Sequence, residues 1–249
     1  MFEPMTIILI VIVFLFAGMV KGVIGLGLPT ISLGLLTAVI DLPSAMALIL
    51  VPSALTNIWQ SFAGGSPMKV VKRIWPFLLP ATLMVSLGAT AITRLDLNTL
   101  SMLLGTLLII YGGIGLKGIS LSFTKRQETW VGPILGIVNG ILTGMTGSFV
   151  IPGVMYLQAI GLSRDNLVQA MGILFTLSTL ALALSLQSND ILNLSLGIQS
   201  LIALIPAIVG VFIGQKIRAQ ISEPMFRHIF FIALLLLGAY IVTRSIFNL

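Results

Sequence analysis

Of the 249 residues, 57% are hydrophobic and 8% charged, against roughly 45 to 50% and about 25% in ordinary globular proteins, so there is too little polar surface to clothe this chain in water. At roughly 20 residues per crossing of a hydrocarbon layer about 30 Å thick, the apolar content suffices for about eight to ten segments. The lack of cysteine removes disulfides, thiolate metal sites and thiol nucleophiles, one histidine makes no metal cluster, and the net charge of +6 sits in short loops between apolar runs, where it reads as a topology signal rather than nucleic-acid binding.

The first apolar run, Met5 to Val20, follows Met1-Phe2-Glu3-Pro4 with no basic leader and no clear cleavage site, so a retained helix is expected rather than a removable signal. It leads into Lys21-Gly22-Val23-Ile24-Gly25-Leu26-Gly27-Leu28-Pro29-Thr30, where glycine permits sharp turns and proline ends hydrogen-bonded continuity. Further segments follow at Leu26 to Ile40, Ser44 to Ala63, Ile74 to Thr93 and Leu97 to Leu116, and a linker at about 118–129 carries Lys125 and Arg126. Beyond it the pattern recurs: Val131 to Leu142, Ser148 to Ile160, Leu167 to Leu186, Leu192 to Gln215 and Met225 to Thr243, with a second glycine-rich stretch from Thr143 to Pro152. The expected architecture is one all-α polytopic transporter domain over 1–249, built of repeats at about 5–117 and 130–246. Some 15 residues of helix reach only about 22 Å, so the opening pair of each repeat is expected to be a re-entrant or broken hairpin at its Gly/Pro motif.

Residue matches tie the halves together. Gly18, Gly22 and Gly25 correspond to Gly140, Gly144 and Gly147 at an offset of 122, and Pro80, Ala81 and Gly88 correspond to Pro206, Ala207 and Gly214 at 126. Internal duplication explains both their order and the five-segment pattern. With an odd number of crossings per half and the N-terminus outside, Lys69, Lys72, Arg73, Lys117, Lys125, Arg126, Arg164, Lys216, Arg218 and Arg227 fall inside, against Arg94 and Arg244 outside and Lys21 unassigned. An odd number inverts the second copy relative to the first and puts both termini outside.

Non-helical backbone at membrane depth is tolerated only inside protein or beside an aqueous cavity, and freed amides at a helix start suit an anion. Gly25, Gly27, Gly144, Gly147 and Ser148 are therefore expected to supply backbone or hydroxyl donors to a substrate near the midplane, where the two breaks would face each other. The plainer reading is close helix packing, because Gly18 and Gly22, and Gly132, Gly136, Gly140 and Gly144, have the four-residue spacing of contact faces. Lys21 would add positive charge, or snorkel to the interface. Thr56, Asn57, Ser178 and Thr179, matched at the 122 offset, would line a polar path, with Ser53, Gln60, Thr176, Asn139, Gln158 and Gln169 as further polar positions. Interhelical hydrogen bonds, worth roughly 0.6 to 2 kcal/mol, are the competing explanation for each of them. Asp41, Asp96, Glu128, Asp165, Asp190 and Glu223 all lie at segment ends or in loops, so no carboxylate serves as a mid-membrane proton relay. Two rivals remain: a passive anion channel, for which no charge rings are evident, and an intramembrane hydrolase on Ser148 and His228, whose serine lacks a G-x-S-x-G frame.

These residues resemble the sulfite exporter TauE/SafE family of membrane transporters over essentially the whole chain. The resemblance rests on Lys21-Gly22 through Gly27-Leu28-Pro29, on Asn139-Gly140 through Gly147-Ser148 to Pro152, and on Leu162-Ser163-Arg164-Asp165-Asn166. It implies export of small sulfur-containing or organic anions, such as sulfite or sulfonates, across a bacterial cytoplasmic membrane, with the bilayer and the anion as partners and no cofactor or metal. The first glycine motif, Gly25-Leu26-Gly27-Leu28, is poorer in glycine than is usual in the family. Substrate identity, coupling ion and homo-oligomer formation stay open at this level.

Overall fold

The computed structural model describes residues 4–63, 66–218, 220 and 222–247, and every regular element among them is helical. In chain order these are α1 (Pro4–Ile24), α2 (Leu28–Thr37), α3 (Leu42–Leu48), α4 (Leu50–Phe62), α5 (Pro67–Ala89, extended by a 3-10 turn to Thr93), α6 (Leu97–Leu116), α7 (Lys125–Thr146), α8 (Gly153–Ala159), α9 (Arg164–Ser188), α10 (Leu194–Arg218) and α11 (Glu223–Phe247). Seven are long and apolar enough to cross a membrane, or up to eight if the bent pair α3 and α4 is one span.

The second segment of each half is the short one. Helix α2 has 10 residues and α8 has 7, about 15 and 10 Å at 1.5 Å per residue, well under the hydrocarbon thickness. The breaks begin later than the sequence implies: Lys21 to Ile24 and Thr143 to Thr146 are still helical. Each helix ends only where a glycine enters the left-handed region, Gly25 at φ 79° and Gly147 at φ 72°, the conformation that closes a helix C-terminus. The linker is also shorter than expected, because Thr124 and Gln127 form a capping box that starts α7 at Lys125.

A 44° bend separates α3 from α4. Pro52 has no N–H to offer the carbonyl of Leu48, which accepts instead from the Ser200 hydroxyl at 2.8 Å, while the Val51 N–H donates to Ser200 Oγ at 3.0 Å. The position 122 residues beyond Pro52 is Leu174, and α9 runs through it unbroken.

The chain divides into two compact units, neither of which coincides with a sequence half. The first comprises Met1–Pro52, Leu95–Ile119 and Ile191–Leu249; in it α1 packs on α10 and α6 on α11, with α2 against α1, α3, α6 and α11. The second comprises Ser53–Arg94 and Ser120–Asp190; in it α5 packs on α7 and α9, and α8 lies against α7 and α9, with the Tyr156 ring stacked on Phe77 at 4.6 Å.

Close backbone approach governs the main helix pair of each unit. In the first, a Cβ on Gly18 or Gly22 of α1 would strike the carbonyl of Ala207 or Val211 of α10. In the second, Gly140 and Gly144 of α7 stand in the same way against the carbonyls of Ala81 and Val85 of α5. The contacts also run in reverse, from Gly214 to Met19 and from Gly88 to Ile141. All of these pairs are related by the 122 and 126 offsets that match the halves in sequence.

Candidate functional site

In the first unit the break is a three-residue turn. The Gly25 N–H donates to the Lys21 carbonyl at 2.8 Å, which ends α1, and Gly27, at φ 107°, precedes α2 with Pro29 in its first turn. Lys21 sits on the last turn of α1, where the helix dipole favours a cation. It is 7% exposed. Nothing lies within 4 Å of where a Cβ on Gly25 would stand, whereas Gly27 packs on Phe230 and Val20.

In the second unit the break covers residues 147–152. The Gly147 N–H donates to the Thr143 carbonyl at 2.7 Å, which repeats the Gly25 bond to Lys21 at the 122 offset. The Thr143 hydroxyl donates to the Ser148 carbonyl at 2.9 Å, and the Ser148 N–H donates to Thr146 Oγ1 at 3.2 Å. Farther along, the Gly153 N–H donates to Asn139 Oδ1 at 2.9 Å. The break and the start of α8 lean on α9, with the rings of Phe149 and Phe175 5.8 Å apart and Leu174 against Gly153.

The N–H groups of Gly25 and Gly147 turn back onto the last turn of their helices, as a left-handed glycine after a helix does, and that of Ser148 is taken by Thr146. Gly144 lies inside α7, against α5, in a packing position. The second unit also carries polar side chains near the break. Asn57, Ser178 and Thr179 are buried and Thr56 is half-buried. Thr179 donates back to the Phe175 carbonyl and Thr56 to that of Ser53, whereas Ser53 Oγ, Ser178 Oγ and Asn139 Nδ2 are buried with no hydrogen-bond partner among the described residues. Such atoms are costly unless something fills their valence.

Of the residues expected to serve a substrate, Lys21, Gly25 and Gly27 belong to the first unit and Thr56, Asn57, Gly144, Gly147, Ser148, Ser178 and Thr179 to the second. The sequence understates some other groups. Gln60 and Gln169 cross-link α4 and α9 reciprocally, Gln60 Nε2 donating to the Val168 carbonyl and Gln169 Nε2 to that of Ser61, both at 3.0 Å. Their burial in apolar runs is a signal, but their pairing follows no repeat offset. Ser148 is buried, while His228 stands exposed on α11. Among the described residues no group of three His, Cys, Asp or Glu is placed to hold a metal.

A family model with the description TauE: Sulfite exporter TauE/SafE matches residues 10–241, a span that contains both breaks. No curated protein and no solved structure matches the chain.

Proposed function

We propose, because the chain belongs to the sulfite exporter TauE/SafE family, that it is a secondary transporter exporting a small sulfur-containing or organic anion, such as sulfite or a sulfonate, from a bacterial cytoplasm by alternating access. The family is one of membrane transporters and not of enzymes, and the apolar helices make this chain a multi-pass membrane protein. The observation that carries the finer reading is the pair of helix breaks: Gly25 and Gly147, 122 residues apart, each close a helix with the same backbone bond beside buried polar groups. Matched breaks of this kind are the usual substrate elements of transporters built from inverted repeats. On this reading the second unit offers the side chains of Ser148, Ser178, Thr179, Thr56 and Asn57 to a substrate, Gly25 and Gly147 shape the turns at the two breaks, and Lys21 lends positive charge beside Gly27 in the first unit.

Thermal-shift measurements on purified protein with sulfite, ethanesulfonate, thiosulfate and small carboxylates test the substrate class, followed by counterflow of the hit in proteoliposomes. At least one anion is expected to raise the melting temperature and to exchange across the membrane with saturation. A shift by neutral or cationic solutes alone defeats the reading, and flux without saturation favours a channel. Lys21→Met is expected to weaken anion binding about tenfold, as the loss of one charge-assisted contact does, and unchanged affinity removes Lys21 from the site.

The charge distribution gives a second test, since ten bases fall inside when both termini are outside. The chain has no cysteine, so each introduced one is a unique reporter. Ser120→Cys, in the exposed stretch before α7, is expected to react with a membrane-impermeant maleimide only after permeabilisation. Ser188→Cys, exposed at the end of α9, is expected to react in intact cells. The opposite pattern inverts the topology, and labelling of both from outside refutes an odd number of crossings per half.

A further inference from the structure

We infer that the side-chain amide of Asn139 is a hydrogen-bond donor to the transported anion and helps set the preference for acceptor-bearing solutes, a role that rests on the transporter reading above. Asn139 is fully buried on α7. Its orientation is fixed, because Oδ1 accepts the Gly153 N–H at 2.9 Å and an amide oxygen, not its NH2, must face a donor. The NH2 group therefore points away from Gly153, and it has no partner among the described residues.

An NH2 group only donates, so the atom it awaits is an acceptor. The surroundings agree. Leu174 of α9 closes on Gly153, and one turn beyond it on the same helix face stands Ser178, whose buried hydroxyl also has no partner among the described residues. The main-chain amides of Gly147 and Ser148 are already spent inside the protein. The unpartnered side-chain donors beside the break are the Asn139 amide and the Ser178 hydroxyl. Of these, the Asn139 amide is held in place by Gly153, the first residue of α8 after the break.

The test uses a near-isosteric change. Asn139→Asp keeps an oxygen acceptor for the Gly153 N–H and the shape of the side chain, but replaces the donating NH2 with a second oxygen. Equilibrium binding of radiolabelled sulfite and of ethanesulfonate to the full-length protein in detergent is measured beside its melting temperature without ligand. The expected result is a dissociation constant raised at least about tenfold, the scale of one lost charge-assisted hydrogen bond, with a ligand-free melting temperature lowered by the buried carboxylate, and a dissociation constant raised likewise in Asn139→Ala, which adds no charge to repel the anion. A folded Asn139→Asp protein that binds the anion as wild type does overturns the inference. If that variant does not fold, Asn139→Ala decides: a merely structural anchor lowers the melting temperature and leaves the dissociation constant alone, whereas a ligand donor raises it. A wild-type protein indifferent to these anions overturns the anion reading and this donor with it, which separates that failure from one confined to Asn139.

Discussion

Gly144→Val is expected to abolish recovery of folded protein, and Gly22→Val to do the same. At Gly144 a Cβ would drive into the carbonyl of Val85 and stand 2.5 Å from the amide nitrogen of Ala89; at Gly22 it would drive into the carbonyl of Val211 and stand 2.9 Å from the nitrogen of Gln215. Neither obstacle is a side chain that can rotate away, so α7 must part from α5, or α1 from α10. Overpacking costs of about 1 to 3 kcal/mol apply where side chains yield, and an immovable backbone should take the cost above roughly 3 kcal/mol. Against a total stability of about 5 to 15 kcal/mol, that removes a large share. The control is Gly113→Ala on α6, where a Cβ meets nothing within 4 Å and helix propensity gains up to about 1 kcal/mol. Size-exclusion profiles and melting temperatures read the series. A Gly144→Val protein that runs as a sharp peak and melts with wild type would show that the helices can separate without penalty.

Those glycines are legible in the amino-acid sequence because backbone contact demands a missing side chain, and the demand recurs at the same offset in both halves. The breaks are legible to within a few residues for a related reason: Gly25, Gly27 and Pro29, and Gly147 and Pro152, cannot all sit in continuous helix. Their onset is not, because Gly22 and Gly144, which look like the start of the breaks, are helical contacts instead. The bend at Pro52 is equally hidden, since membrane helices often tolerate an interior proline, as α5, α7 and α10 do. What decides the outcome there is a distant hydroxyl, Ser200, that takes over the orphaned carbonyl and amide. The Gln60 and Gln169 cross-link lies beyond sequence for the same reason. Each amide is bonded to a carbonyl next to its partner's position, and nothing local encodes that meeting.

Charge is the other signal, and in the sequence it speaks only of topology. Arg73 counts there as one of ten inside bases, yet its Nε and Nη2 grip both oxygens of Glu128 at 3.2 and 2.9 Å, and Nη2 also donates to the carbonyl of Ile160 at the end of α8. Arg244 counts as an outside base, yet its Nη1 donates to the carbonyls of Thr37 and Ala38 at the end of α2, at 3.2 and 2.6 Å. Both short helices that follow a break thus end on an arginine supplied by another helix of their own unit. Helices of 10 and 7 residues hold poorly by themselves, and a cation on the last carbonyls satisfies bonds the helix cannot.

Arg73→Ala is accordingly expected to destabilise the protein by about 1 to 3 kcal/mol, the range for hydrogen bonds to a charged group, toward the lower end because the Arg73 side chain is 35% exposed. At this chain length each kcal/mol corresponds to roughly 2 to 4 °C, so the melting temperature should fall by about 2 to 12 °C. Arg73→Lys should recover only part of the loss, since a single ammonium does not reproduce the fork that holds a carboxylate and a carbonyl together. Raising the salt concentration should move wild type only part of the way toward Arg73→Ala, because the Glu128 side chain is 12% exposed and its pair is screened less than an open one. Arg126→Ala, an exposed base on the same end of α7 as Glu128, should leave the stability within about 0.5 kcal/mol of wild type. If Arg73→Ala and Arg126→Ala melt alike at every salt concentration, Arg73 does not fasten α8, and the stability of α8 must come from Tyr156 on Phe77 and from Asn139 on Gly153 instead.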